Sequence, residues 1–185
     1  VALTPAFATE VGVFPSRTWD IRQIRLDNEY ADPPFYSLAQ SRDGLIYAGD
    51  RSGVIEFDGR NWRRLPLTIR NAVTVVGVAR NGSLVVGGAE TLLVIPNPRE
   101  PQKFIDVGHE LPDGLHGSGD FWEFAEDDVH WCVRSTRLLV CASASGFTAF
   151  PARKGFGRLF QTEDGILIEV DDAGLSRVTP QGPIL

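Results

Sequence analysis

The sequence predicts an all-β propeller present as about four blades, and three observations carry that prediction. A pattern of four short strands separated by three tight turns fills Phe35–Leu67. The pattern returns three more times at near-regular intervals. No stretch of the chain shows long helical periodicity, which argues against helical and α/β classes. At roughly 35 to 40 residues per unit, the repeat has the length of one propeller blade. A single blade cannot bury both of its faces, so recurrence of the unit dictates the architecture. A β-sandwich is the main competing fold.

Unit one reads in order as follows. A strand-like run, Phe35–Ala39, meets the polar turn Ser41-Arg42-Asp43-Gly44, followed by the apolar strand Leu45–Ala48. A glycine-containing turn at Asp50–Gly53 leads to Val54–Phe57, then to the turn Asp58-Gly59 and a last strand around Trp62–Leu65. The first turn aligns with Asn81-Gly82, Asp127-Asp128 and Asp164-Gly165, at spacings of 38, 46 and 37 residues. Asn-Gly and Asp-Gly supply the positive φ values that hairpin turns require. Flanking strands also correspond: SLAQSRDGLIYAG at 37–49, VGVARNGSLVVGG at 76–88, FWEFAEDDVHWCV at 121–133 and GRLFQTEDGILIEV at 157–170. The expected blades cover about 33–70, 71–107, 117–152 and 155–185.

The longer second spacing comes from extra residues within Val107–Gly119, where Pro112 and four glycines mark a loop rather than a strand. In propellers the link from an outer strand to the next inner strand lies on the face that usually binds ligands. Residues 1–32 form an N-terminal segment in which Phe14, Trp19, Ile21, Ile24 and Leu26 are spaced among polar residues. That spacing predicts one or two strands that complete the ring.

Hydrophobic content of 43% and charged content of 23% are ordinary for a folded globular chain. A net charge of −6 argues against nucleic acid as a partner, which needs a basic surface. The local cluster Arg60, Arg63 and Arg64 reads as the solvated edge of an outer strand. Apolar runs are far too short for a membrane-spanning helix, so any membrane link lies outside this sequence. The chain has no Met, so Val1 is expected to be a processed or trimmed end. Ala6-Phe7-Ala8 follows the small-x-small rule of signal-peptide cleavage sites.

Cys132 and Cys141 lie symmetrically about a turn at 135–137 and so face each other across neighbouring strands of the third blade. Two readings stand side by side: a disulfide, if the Cβ vectors suit it, or two free thiols packed as small hydrophobes. A disulfide would agree with an oxidising compartment.

The residues Asp43-Gly44-Leu-Ile-Tyr-Ala-Gly49, Gly53-Val-Ile-Glu-Phe57-Asp58-Gly59 and Asn61-Trp62 resemble the first blade of the two-component regulator propeller. Unit two keeps Asn81-Gly82 and Gly87-Gly88 but has Val94-Ile-Pro-Asn-Pro98 where the family carries its aromatic-Asp-Gly-Trp segment. Units three and four keep little beyond the turn and the strand pattern. The resemblance implies a seven-bladed ring of which these four units are part, or one completed by a second copy in a homodimer. It also implies a periplasmic sensory domain, the extracytoplasmic input of an inner-membrane histidine kinase or diguanylate cyclase. The abrupt end at Pro183-Ile184-Leu185 likewise predicts a fragment.

No catalytic residue, metal or cofactor is expected. His109, Asp113, His116, Asp120, Glu123 and Asp127 are metal-competent, yet none has the spacing of a zinc or calcium motif. The helix that a His109-Glu110 metal motif would need is interrupted by Leu-Pro-Asp. Gly117-Ser118-Gly119 lacks nucleophile-elbow spacing. A propeller hydrolase would place carboxylates such as Asp50, Glu90 and Asp120 at a central channel, with no spacing to assign them. For a small ligand or a protein partner, the face carrying the blade links and second turns nominates Arg51, Arg70, Glu90, His116 and Arg137. Tyr47 and Trp62 read as packing between blades, and Trp122 and Trp131 as core. An interaction scaffold without a small ligand is the leading alternative function, and a propeller hydrolase the next.

Overall fold

The computed structural model describes residues 34–69, 71–171 and 173–184. The N-terminal segment 1–32, its cleavage-like Ala6-Phe7-Ala8 and the nominated Arg70 lie outside the described residues.

Four sheets, each a four-stranded antiparallel meander, follow one another along the chain. The first holds β1 (Ser37–Gln40), β2 (Ile46–Asp50), β3 (Gly53–Phe57) and β4 (Trp62–Arg64). The second holds β5 (Val73–Val78), β6 (Leu84–Gly88), β7 (Thr91–Ile95) and β8 (Ile105–Asp106). After the one-turn helix α1 (Val107–Glu110) comes the third, β9 (Glu123–Glu126), β10 (Trp131–Arg134), β11 (Leu138–Ser143) and β12 (Gly146–Pro151). The fourth holds β13 (Phe156–Thr162), β14 (Gly165–Val170), β15 (Gly174–Thr179) and β16 (Gly182–Ile184). First strands succeed one another in space, β1 beside β5, β5 beside β9 and β9 beside β13. This is the propeller arrangement the repeat predicts.

Turn chemistry explains the hairpins. Gly44, Gly82 and Gly165 take positive φ in the first turns of sheets one, two and four. Sheet three turns at the corresponding place with neither a glycine nor a positive φ. There the Asp127 carboxylate accepts hydrogen bonds from the backbone N–H of Val129 and His130, an Asx turn.

Cores lie between the sheets because strand residues alternate faces. Tyr47, Val54 and Leu65 of sheet one pack on Val73, Val76, Leu84 and Val86 of sheet two. Val75, Val85 and Val94 meet Phe121, Trp131, Val133 and Val140 of sheet three. The other face of sheet three, Ala125, Cys132, Leu139 and Cys141, packs on Phe156, Leu159, Ile166 and Ile168 of sheet four. Close approach also needs a missing side chain: a Cβ on Gly77 would sit 2.4 Å from the Phe124 ring of the next blade.

Three expectations are corrected. Trp122 is 43% exposed rather than core, because it precedes β9 and its indole lies outside the inter-sheet layer; Trp131 is buried as expected. Arg64 is not a solvated edge residue: its guanidinium clamps both carboxylate oxygens of fully buried Asp50, at 3.1 and 2.8 Å. Arg63 likewise pairs with Glu56 at 2.7 Å. The interruption at Leu-Pro-Asp limits helical geometry at His109-Glu110 to the single turn α1, since Leu111 at its C-cap is extended and Pro112 follows. Trp62, read as packing between blades, packs within its own blade against Phe57, Ala48 and Ile55.

Cys132 and Cys141 are directly paired in the β10–β11 ladder and joined by a disulfide. Reducing that bond in urea-unfolding experiments is expected to lower the unfolding free energy by roughly 2.5 kcal/mol, the loop-closure term for a short loop. An unchanged urea midpoint with dithiothreitol present would contradict this.

Candidate functional site

The site is built by the 107–119 insertion. Asp106 caps α1 by accepting the Gly108 N–H at 3.0 Å. Val107, Leu111 and Leu115 then turn inward as part of the core between sheets two and three. From the β6–β7 turn, Glu90 adopts φ 48°, accepts the Gly117 N–H at 2.6 Å and donates its own N–H to Gly119 O at 3.0 Å. A bridge between Ala89 and Asp120 closes the attachment. Side chain and backbone together thus hold the insertion down on the second blade.

Between this pinned loop and the third blade lies a cleft of about 740 Å³. Leu111, Pro112, Asp113, His116 and Ser118 form one wall. Arg137 and Leu138 from the β10–β11 turn, with Phe147 and Ala149 of β12, form the other. Arg153 and Lys154, in the β12–β13 link, close the end and also line a neighbouring cleft of about 590 Å³ against sheet four. One carboxylate, Asp113, therefore faces His116 and three long cations.

The Arg137 and Arg153 guanidiniums, both exposed, make no ion pair among the described residues. Elsewhere the described arginines Arg63, Arg64, Arg80, Arg134 and Arg158 are matched with carboxylates. A planar guanidinium fork suits carboxylate, sulfate or phosphate oxygens, and Phe147 and Leu138 offer an apolar surface beside it.

The nominated residues divide accordingly. His116 and Arg137 line the same cleft. Glu90 lies next to it, and its carboxylate is engaged with the loop backbone. Arg51 lies on the β2–β3 turn of the first blade, where its Nε donates to the Tyr36 hydroxyl at 3.3 Å, away from the cleft. Sequence reasoning missed Arg153 and Lys154. The signal was available, since their link follows an outer strand and so falls on the same face as the insertion. Of the hydrolase candidates, Asp50 is wholly engaged by Arg64 and the Ser52 N–H. Among the described residues, the metal-competent side chains of 106–127 do not converge; the group that does is His130, Cys132 and Cys141.

No protein-family model matches the chain, and no curated protein matches it. Solved structures do. The extracellular domain of a B. thetaiotaomicron protein described as a hybrid two-component system superposes with a TM-score of 0.63 at 19% identity. The match covers 88% of this chain and 22% of that one, so the chain spans about a fifth of that structure's length. The WD40 domain of Neurospora crassa Pan2 gives a TM-score of 0.55 at 14% identity, covering 83% of this chain and 49% of that one. YCF48 from Cyanidioschyzon merolae gives 0.52 at 12%, covering 83% and 55%. At these identities the likeness is one of fold, and the class it defines is the β-propeller.

Proposed function

We propose that this chain is the extracytoplasmic, periplasmic sensory domain of a bacterial signal-transduction protein, an input module for a kinase or diguanylate cyclase output. Its ligand is a small molecule bearing an anionic group, seated in the cleft between the insertion and the third blade. One observation carries the ligand class: Arg137, Arg153, Lys154 and His116 converge on that cleft in a chain whose net charge is −6. Such a local reversal of sign gathers anions against the field of the whole molecule. Two further features support the setting: the likeness to an extracellular two-component domain and the Cys132–Cys141 disulfide, which suits an oxidising compartment. Signalling then requires that the ligand bind one arrangement of the propeller more tightly than another.

A thermal-shift screen of dicarboxylates, uronic acids and sugar phosphates is the test. A ligand at about 100 times its Kd stabilises the native state by about 2.7 kcal/mol, a readable rise in Tm. The double variant Arg137→Ala/Arg153→Ala is expected to bind the hit roughly 100-fold more weakly, at about 1.5 kcal/mol per lost charge-assisted hydrogen bond. A hit whose affinity the double variant leaves unchanged would move the site elsewhere. An alkaline phosphatase fusion to the full-length protein that stayed inactive would overturn the location.

A further inference from the structure

We infer that, once the Cys132–Cys141 disulfide is reduced, His130, Cys132 and Cys141 form a buried three-ligand site for a zinc-type divalent cation. The inference goes beyond the sensory reading and does not depend on it.

Strand geometry assembles the ligands. His130 sits two residues before Cys132, so both side chains leave the same face of the chain at the start of β10. Cys141 of β11 is the register partner of Cys132. The ligand atoms of the three residues lie within 4.8 Å of one another, and all three residues are buried, at 6%, 0% and 5% exposure. Thiolate sulfur with imidazole nitrogen is a donor set that zinc favours, and three protein ligands leave a fourth position for water.

A second observation points to an occupant. Both ring nitrogens of His130 are buried and, among the described residues, neither makes a hydrogen bond. A buried polar atom without a partner is costly, so this imidazole is kept at a cost that a ligand would relieve. Its Nδ1 lies 2.9 Å from Asp127 Oδ1, outside hydrogen-bonding geometry. A small ring rotation makes Nδ1–H a donor to Asp127 and leaves Nε2 as the ligand, the usual carboxylate–histidine–metal relay.

The site also lies beside an acidic surface. His130 lines a cleft of about 300 Å³ that Glu126, Asp127 and Asp128 make acidic. Arg80, the cation at its rim, pairs with Asp128 and donates its backbone N–H to Glu126. This cleft opens at the β9–β10 turn, on the opposite face from the links that form the anion cleft.

Redox state gates the site. In the disulfide each sulfur's bonding electrons are shared with the other, and no thiolate exists. A dithiol reductant attacks one sulfur, breaks the Cys132–Cys141 bond and leaves as its own disulfide, delivering two electrons and two protons to the pair. Zinc binding then releases those two protons as both thiols become thiolates.

The test uses the 185-residue chain, oxidised or reduced with dithiothreitol and desalted anaerobically, titrated with Zn²⁺ and with Co²⁺. The expected result is one metal ion per reduced, folded chain with sulfur-to-cobalt charge-transfer absorption, and none per oxidised chain. Bound Zn²⁺ should protect both thiols from alkylation. His130→Ala should weaken binding by tenfold or more, and Asp127→Asn by about tenfold through loss of the relay. No metal on the reduced chain overturns the proposal. So does full affinity in His130→Ala, and so does binding confined to chains that have lost their near-ultraviolet circular dichroism.

Discussion

Replacing Phe121 by Ala is expected to destabilise the chain by about 4 kcal/mol, the cost of emptying a large buried aromatic site. Phe121 is fully buried in the core between sheets two and three. Its backbone is tied to the same place: its N–H donates to Gly88 O at 3.3 Å, and its carbonyl accepts from the buried Thr74 hydroxyl. Those bonds hold the backbone where it is, so neighbouring groups collapse only partly into the cavity. At roughly 2 to 4 °C per kcal/mol for a chain of this size, Tm should fall by about 10 °C. Urea unfolding checks the figure, and a loss under about 1 kcal/mol would show that the second and third blades are not coupled through this ring.

Glu123→Gln is expected to cost about 3 kcal/mol, because it leaves a buried charge unpaired. The Glu123 carboxylate accepts from Arg134 Nε at 3.0 Å, Arg158 Nη1 at 2.6 Å and the Leu159 N–H at 2.6 Å. Side-chain exposures of 9% for Arg134 and 18% for Glu123 show which pair matters. Arg158, at 72%, is screened by solvent, so Arg158→Ala should cost less than about 1 kcal/mol. The Leu159 bond crosses from sheet three to sheet four, so the same carboxylate fixes one blade against the next.

This pair also has a pH signature. Burial pushes the Glu123 carboxyl up, but the bonds from Arg134, Arg158 and the Leu159 N–H outweigh it and hold the pKa below the ordinary value of 4.5. A depressed folded-state pKa gives stability that is complete above the unfolded value and disappears as pH falls through the folded one. Wild-type stability should therefore decline below about pH 4.5, and Glu123→Gln should flatten that decline. Asp127, held low by the backbone N–H groups of His130 and Val129 against its own burial, contributes in the same direction. Urea midpoints measured from neutral pH to pH 3 separate the two, since the Asp127 share persists in the Glu123 variant.

Much of the fold was legible because its rules are local. Asp43-Gly44, Asn81-Gly82 and Asp164-Gly165 announce hairpins through backbone conformation alone, and period-two patterns mark the strands on either side. Register follows from the turns, which is why turn spacing alone sets Cys132 opposite Cys141. Where the reading failed, the partner lay one strand beyond the neighbour. Arg64 reaches across β3 to Asp50, and no spacing rule joins the fourth strand of a blade to its second. Trp122 shows the same limit, since an aromatic residue just before a strand has no alternation to place it.

The candidate site divides along the same line. Sequence by itself determined the repeat, the hairpins, the one insertion that departs from the repeat and the face on which that insertion emerges. It could nominate His116 and Arg137 by face, but not say that they share a cleft while Arg51 stands apart. Tertiary structure alone decided that Arg153 and Lys154 join them, that Glu90 pins the loop, and that His130 comes to rest between Asp127 and the disulfide. The reason is physical. Turn and strand preferences act within a few residues, whereas convergence of side chains 20 to 40 positions apart depends on how twisted sheets stack, which no local pattern encodes.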